Sequence, residues 1–259
     1  MFGALLRFFR DRAGMSQETL GTHVQYSKSQ VAMVERGERA PKGKLVDIAD
    51  SVLGAQGALL AAAKELKVDR FPSWFEEYVD EEAKAAAIHM YATHVIPGLL
   101  QSEAYARAIF NCQYCPPRED EEVETRLAAR LDRQRVLRRK PMPLVSFVVE
   151  EATLTRPLGG PDVLKGQLHH MLDIARMRHV ELQVMPHDRQ THAGLSGPMI
   201  LLETAERRQL AYLEGQGYGF LVSEQPDVSD LFGKYGILRA QALTPDESMK
   251  FIEQVAHNL

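Results

Sequence analysis

The sequence predicts two domains: an all-α N-terminal domain of five short helices, and a larger α/β domain with a mixed sheet and a helical N-terminal segment. Short amphipathic helix patterns, separated by Gly and Ser, occupy the beginning of the chain, whereas β-rich apolar runs occur only after residue 143. A polar junction around Pro72 separates the two patterns. We therefore assign residues 1–67 to the first domain, 68–74 to a linker and 75–259 to the second domain.

The charge of the chain divides at the same place. The 259 residues have a formal net charge of −4, but residues 1–67 contain ten Lys/Arg and seven Asp/Glu, which gives +3, and residues 68–259 have −7. A small basic N-terminal domain can approach phosphates while the rest of the chain is acidic. No stretch reaches the roughly 18 apolar residues of a membrane span, and Arg7 and Arg10 interrupt the N-terminal apolar run before it could form a signal peptide. We expect a cytoplasmic protein without a membrane partner.

The N-terminal helices can be justified in order from their start and stop signals. Residues 3–13 have apolar side chains at helical spacing, and Gly14 ends the run. Ser16 caps a second helix and Ser27 a third, which Gly37 closes. Two further helices follow in LVDIADSVLG and AQGALLAAAKELK. Only about three residues separate the second helix from the third, and this spacing predicts a helix-turn-helix.

The N-terminal stretch also resembles a known family. Residues 7–54 are similar to the phage-repressor-like (Xre-type) helix-turn-helix domain, at Ser16-Gln17, at Ser27 and at Glu35-Arg36-Gly37. Gly21 departs from the family, which usually has Ala at this tight contact between helices. The substitution costs roughly 1 kcal/mol of helix propensity but keeps the side chain small.

This resemblance implies a site for double-stranded DNA. In a helix-turn-helix the second helix enters the major groove with its N-terminal residues on base edges. Lys28 and Ser29 occupy that start, Met33 could contact a thymine methyl group, and Gln17 matches a position that bonds a phosphate. The predicted DNA-binding residues are Gln17, Ser27, Lys28, Ser29, Gln30, Met33, Arg36, Arg39, Lys42 and Lys44. The alternative is a merely solvated helix face. Glu35 and Arg10 match a structural pair of the family.

The second domain begins with predicted helices. Residues 75–110 read as helical, with a break at Pro97-Gly98, and residues 119–140 as one long charged helix. The later runs PLVSFVVEE, VELQVMPH, GPMILLE, QLAYLEG and YGFLVSE have the length and composition of strands. A helix between the first two strands predicts a parallel βαβ unit. Two helices finish the chain, the last one capped by Thr244 with Pro245 in its first turn.

A second resemblance covers roughly residues 70–256. The runs IPGLLQSEAYARAI and RLDRQRVL are similar to the domain that follows the helix-turn-helix in WhiJ-like regulators of streptomycetes and other actinobacteria, which are also called antitoxin-like. The resemblance implies a transcription factor of development or secondary metabolism with a small neighbour-encoded partner protein. We expect a homodimer, because one recognition helix reads only a few base pairs. An antitoxin-like protein that mainly captures its partner is the alternative.

Nothing in the sequence predicts an enzyme, a cofactor or a metal site. No nucleophile elbow, phosphate loop or zinc-protease motif occurs. Cys112 and Cys115 form a lone C-x-x-C, for which His187 and His192 would be the nearest further ligands, and two ordinary thiols are the favoured interpretation. The acidic runs have the composition of solvated helix starts. A pocket with perturbed acids would favour catalysis instead.

Overall fold

The computed structural model describes residues 2–37, 41, 44–64, 71–112 and 117–259. Contacts divide the chain into two units, Met1–Val68 and Asp69–Leu259. Within the described part, the first unit contains helices Phe2–Arg12 (α1), Gln17–Val24 (α2), Lys28–Arg36 (α3), Leu45–Val52 (α4) and Ala58–Lys64 (α5). Their apolar faces share one core, which includes Leu6, Leu20, Val31, Val34 and Leu59. The predicted all-α N-terminal domain is confirmed.

The boundaries of α2 and α3 are fixed by the predicted caps. The Ser16 hydroxyl accepts a hydrogen bond of 3.0 Å from the Thr19 backbone N–H and so begins α2. Ser27 begins α3, and Gly37 ends it in the left-handed conformation with φ of 79°. Gln25 has φ of 59° and turns the chain between the two helices. The short turn therefore sets α3 at a fixed angle to α2.

The second unit is built on a mixed sheet, as predicted, and among the described residues this sheet has six strands where the sequence predicted five. Its strands are Ala87–Ala92 (β1), Leu144–Glu150 (β2), Val180–Met185 (β3), Met199–Glu203 (β4), Gln209–Gly215 (β5) and Tyr218–Val222 (β6). The strand order among the described residues is β3-β2-β1-β4-β5-β6. The neighbours β1, β2 and β3 run parallel, whereas β4, β5 and β6 pair antiparallel.

Helices cover both faces of this sheet. The described helices of this unit are Ser73–Glu82 (α6), Glu103–Asn111 (α7), Asp120–Arg133 (α8), Glu151–Thr155 (α9), Pro161–Ala175 (α10), Asp227–Gln241 (α11) and Pro245–His257 (α12). One core joins α6, α10 and α12 to the sheet, and a separate core joins α11 to it. In the chain, α10 follows β2 and precedes β3, and these two strands pair in parallel, so the predicted βαβ unit is confirmed. The Thr244 cap of α12 is present as well.

Two helix predictions for the second unit are wrong in part. The helix predicted from residue 75 ends at Glu82, and AIHMYA forms β1 near the middle of the sheet, whereas the helix predicted after Pro97-Gly98 is present as α7. Pairing with β2 on one side and β4 on the other buries Ile88 and Met90, and this gain outweighs the helical propensity of Ala and Met. The long helix predicted for residues 119–140 ends as α8 at Arg133 and continues as a 3-10 turn, Gln134–Arg138.

The apolar face of α8 packs on α7. Val123 and Leu127 form a small core with Ala106 and Phe110. The hydrophobic stripe of this charged helix is therefore covered within the chain.

The described residues contain no group of three or more His, Cys, Asp or Glu placed to hold a metal ion. Cys112 is exposed, and Cys115 lies outside the described residues. His192 is bonded through Nε2 to Glu150 Oε1 at 2.8 Å. In the described part of the chain, no helix combines the length and the apolar character that a membrane span needs.

Candidate nucleic-acid interface

The first turn of α3 presents polar side chains to solvent. Lys28 and Ser29 are exposed, and Ser27 before them is the helix cap. On the opposite side Val31 and Val34 are fully buried in the core of the unit. The helix is therefore held by its apolar stripe while its N-terminal residues project outward, as recognition by insertion into a groove requires.

Gln30 takes part in the start of the helix itself. The Ser27 hydroxyl accepts from the Gln30 backbone N–H at 3.2 Å, and the Gln30 side-chain oxygen accepts from the Ser27 backbone N–H at 2.8 Å. This reciprocal capping box satisfies two backbone donors. The amide nitrogen of Gln30 is the group that a phosphate contact would use. Met33, one turn further along, is half-buried.

The predicted partner of Glu35 is at the predicted place. Arg10 Nε donates to Glu35 Oε1 at 2.5 Å, and Arg10 Nη2 donates to Oε2 at 3.1 Å. Both side chains are buried, with 9% and 3% of their surfaces exposed. The hydrogen bond to Glu35 raises the pKa of Arg10 above its usual range, so the guanidinium stays charged. This bidentate pair joins α1 to α3.

Gln17 has a contact that differs from its predicted role. Its side-chain amide nitrogen donates to Glu35 Oε2 at 2.8 Å, within the domain. The predicted role was a hydrogen bond from this side chain to a DNA phosphate. Glu35 therefore links α2 as well as α1 to the recognition helix. The backbone N–H groups at the start of α2 remain suited to a phosphate, because helix N-termini attract anions.

The flanking cations are described only in part. Arg36, in the last turn of α3, and Lys44, just before α4, are exposed. Arg39 and Lys42 lie outside the described residues, so the structure does not place these two predicted contacts.

Asp50 is a structural residue that the sequence did not reveal. Its side chain is buried and accepts backbone N–H bonds from Gly57 at 2.7 Å and Leu59 at 2.9 Å, at the start of α5. A capping side chain usually precedes the backbone N–H that donates to it by two or three residues. Asp50 reaches across seven to nine residues, so no local pattern could have identified it.

Comparison with known families agrees with this geometry. Residues 1–63 match a family model described as a helix-turn-helix domain. Residues 75–254 match the model of a domain of unknown function, DUF5753. No curated protein and no solved structure matches the chain significantly. The helix-turn-helix marks the protein as a DNA-binding regulator. Because the second model covers more than half of the chain, the protein belongs to the DUF5753 family, with a helix-turn-helix domain in front of the family domain.

Proposed function

We propose that the protein is a sequence-specific transcription regulator of the Xre type that reads the major groove with the first turn of α3. The observation that carries this proposal is the position of Lys28 and Ser29, exposed at the capped start of a helix whose other face is buried. Lys28 donates to guanine O6 or N7, Ser29 reaches a base or a phosphate, and Met33 contacts a thymine methyl group.

The remaining predicted residues act on the DNA backbone. The exposed side chains of Arg36 and Lys44 support this role. Phosphate contacts fix the register of a protein on the duplex without reading its sequence. The full proposed set of backbone contacts is Gln17, Ser27, Gln30, Arg36, Arg39, Lys42 and Lys44.

We also propose a homodimer that binds half-sites one helical turn apart, which is the usual solution for a domain of this size. The WhiJ-like resemblance supports a small neighbour-encoded partner protein and a role in development or secondary metabolism. The net charge of −7 on residues 68–259 would favour a basic partner. In the antitoxin-like alternative, capture of that partner would be the main activity.

Selection of bound fragments from the source genome tests the proposal. The full-length protein should enrich one sequence, with two inverted half-sites if it acts as a dimer. Lys28→Glu should abolish this enrichment, because it places a carboxylate against the base edges and phosphates. Lys250→Glu, an equal charge change at an exposed position of α12, should leave it intact. Enrichment of the same sequence by Lys28→Glu would place the reading surface elsewhere.

A further inference from the structure

A cavity of about 620 Å³ lies within the second unit. Its walls come from α6, α7 and α8 and from β1, β4 and β5. Cavities that hold small molecules usually measure about 300–1,000 Å³. The size of this cavity is therefore that of a binding site for a small organic molecule, and its described lining residues all belong to the second unit.

One part of the cavity wall is aromatic. Trp74, Phe75 and Tyr212 line it, and the rings of Phe75 and Tyr212 meet edge to face at 5.6 Å between centroids. Behind them Tyr78 stacks on Tyr212 at 4.5 Å, which holds the wall in place. Ile200 of β4 extends the apolar surface. Such a wall favours the aromatic or aliphatic body of a ligand.

Another part of the wall carries positive charge. Arg126, Arg130 and Arg133 lie at helical spacing on one side of α8, and Arg118, just before this helix, lines the cavity as well. Three of these side chains are oriented by protein contacts. Arg126 Nε donates to Glu122 Oε1 at 3.0 Å, Arg130 Nη1 donates to Gln101 Oε1 at 2.5 Å, and Arg133 Nε lies 2.8 Å from Glu82 Oε2. A guanidinium has five N–H donors, so a contact with the protein is compatible with a contact with a ligand.

Aromatic rings of the same cavity support two of these guanidinium groups. The Cζ atom of Arg130 lies 4.9 Å from the centroid of the Phe110 ring, and that of Arg133 lies 5.0 Å from the Phe75 ring. These cation–π contacts hold the charged groups next to apolar surface. A molecule in the cavity would therefore meet charged groups and apolar surface together.

The charges that line the cavity are unbalanced. Among the described lining residues, Glu214 is the one carboxylic acid, against four arginines. Burial raises the pKa of Glu214 above its usual range. Glu82 and Glu122 neutralise part of the arginine charge from outside the lining. The potential at the arginine wall therefore favours an anionic group.

We propose that this cavity binds an amphipathic organic acid, with its aromatic or aliphatic body against Trp74, Phe75 and Tyr212 and its anionic head at Arg126 and Arg130. The proposal concerns the second unit and does not rest on DNA binding, so either can fail without the other. Arginine suits the head group because its planar fork matches the two oxygens of a carboxylate.

Trp74 provides a direct readout, because it is the only tryptophan of the chain, lines the cavity and keeps 39% of its surface exposed. Full-length protein is titrated with 4-phenylbutanoate, 4-phenylbutanol and 4-phenylbutylammonium, which differ only in head group, and tryptophan fluorescence is followed. We expect the anion to bind with a Kd below about 1 mM, the alcohol more weakly and the cation weakest. Equal responses to all three compounds, or no response to the anion, would overturn the proposal.

Arginine variants then locate the head group. Arg126→Gln and Arg130→Gln should each weaken the binding of 4-phenylbutanoate about tenfold, which is the usual effect of losing a charge-assisted hydrogen bond. Both variants should change the binding of the alcohol little. Arg176→Gln, at an exposed arginine beyond α10, is the matched control. Arg133 is left unchanged because it pairs with the buried Glu82. If a variant lost as much affinity for the alcohol as for the anion, the assigned head-group position would be wrong. A loss of affinity for the anion alone supports it.

Discussion

Arg10 of α1 and Glu35 of α3 form a buried bidentate ion pair, with Arg10 Nε at 2.5 Å from Glu35 Oε1. Arg10 also donates to the backbone oxygen of Met15 at 2.8 Å, and Gln17 donates to the same carboxylate. Two helices, α1 and α2, are thus tied to one side chain on α3. The pair holds α3 in position and does not face the proposed DNA surface.

Removing the charge of Glu35 should therefore destabilise the first unit. Glu35→Gln removes the buried carboxylate from Arg10 and leaves the exposed Asp11, 2.6 Å from Arg10 Nη1, as its charged partner. Breaking a buried pair costs about 3–5 kcal/mol, and we expect a loss at the lower end of this range because the Asp11 contact remains. Unfolding in urea, followed by far-ultraviolet circular dichroism, should show an early loss of helix. Fluorescence of Trp74 reports the second unit, and its transition should not move.

Glu18→Gln provides the control for this experiment, because Glu18 is exposed in the first turn of α2. We expect it to change the unfolding transition little. If Glu35→Gln changed the preferred DNA sequence while the stability of the first unit stayed the same, Glu35 would belong to the reading surface and our assignment would be wrong.

Gly21 is a second structural position of the helix-turn-helix. An added Cβ would lie 2.4 Å from the backbone oxygen of Tyr26, in the turn between α2 and α3. Gly21→Ala gains about 1 kcal/mol of helix propensity, but we expect the clash to outweigh this gain and to lower the stability of the first unit. Gly166→Ala on α10 is the matched change, since its Cβ would meet nothing within 4 Å and should stabilise. A stabilising Gly21→Ala in thermal unfolding would show that the turn is looser than described.

The stability of the second unit should depend on His170. Its Nε2 is buried without a hydrogen-bond partner among the described residues, and burial lowers its pKa. The unfolded chain takes up a proton near pH 6.5, while the folded chain does so only at lower pH. The contribution of the neutral His170 to folding stability is therefore fully present above pH 6.5 and is lost as the pH falls from 6.5 toward the lower pKa of the folded state.

His170→Leu should reduce the loss of stability that occurs as the pH falls below 6.5. The measurement is the free energy of unfolding from Trp74 fluorescence in urea, at several pH values between 7 and 5. His169→Leu, at the exposed neighbouring position on α10, should leave the pH dependence as it is. Burial lowers the pKa of His89 as well, so part of the slope should remain. An equal slope in wild type and His170→Leu would contradict this account.

The first unit was largely predictable because its signals are local. Ser16, Ser27 and Gly37 mark helix ends by their own chemistry, and the structure uses each of them as predicted. The contact of Gln17 with Glu35 was not predictable in the same way, since the two residues are 18 positions apart and meet only when α2 packs on α3. Long-range contacts of this kind decide which polar side chains remain available for DNA.

The strand β1 shows where sequence patterns fail in the second unit. AIHMYA follows a true helix and contains residues that favour helices, so it reads as a continuation of that helix. Its conformation is set by partners far along the chain, Leu144 to Val149 in β2 and Met199 to Glu203 in β4. The arginine-lined cavity could not be foreseen either, because its walls come from segments separated by more than a hundred residues.

The most direct test of the proposed DNA site compares two lysines on two duplexes. Fluorescence anisotropy gives the affinity of wild type, Lys28→Ala and Lys44→Ala for a selected site and for random DNA over a range of salt concentrations. We predict that Lys28→Ala lowers the affinity for the selected site about tenfold and changes the affinity for random DNA little. Lys44→Ala should weaken both duplexes alike and reduce the salt slope by about one. If the two variants weaken both duplexes equally, the first turn of α3 does not read the sequence, and the central claim is wrong.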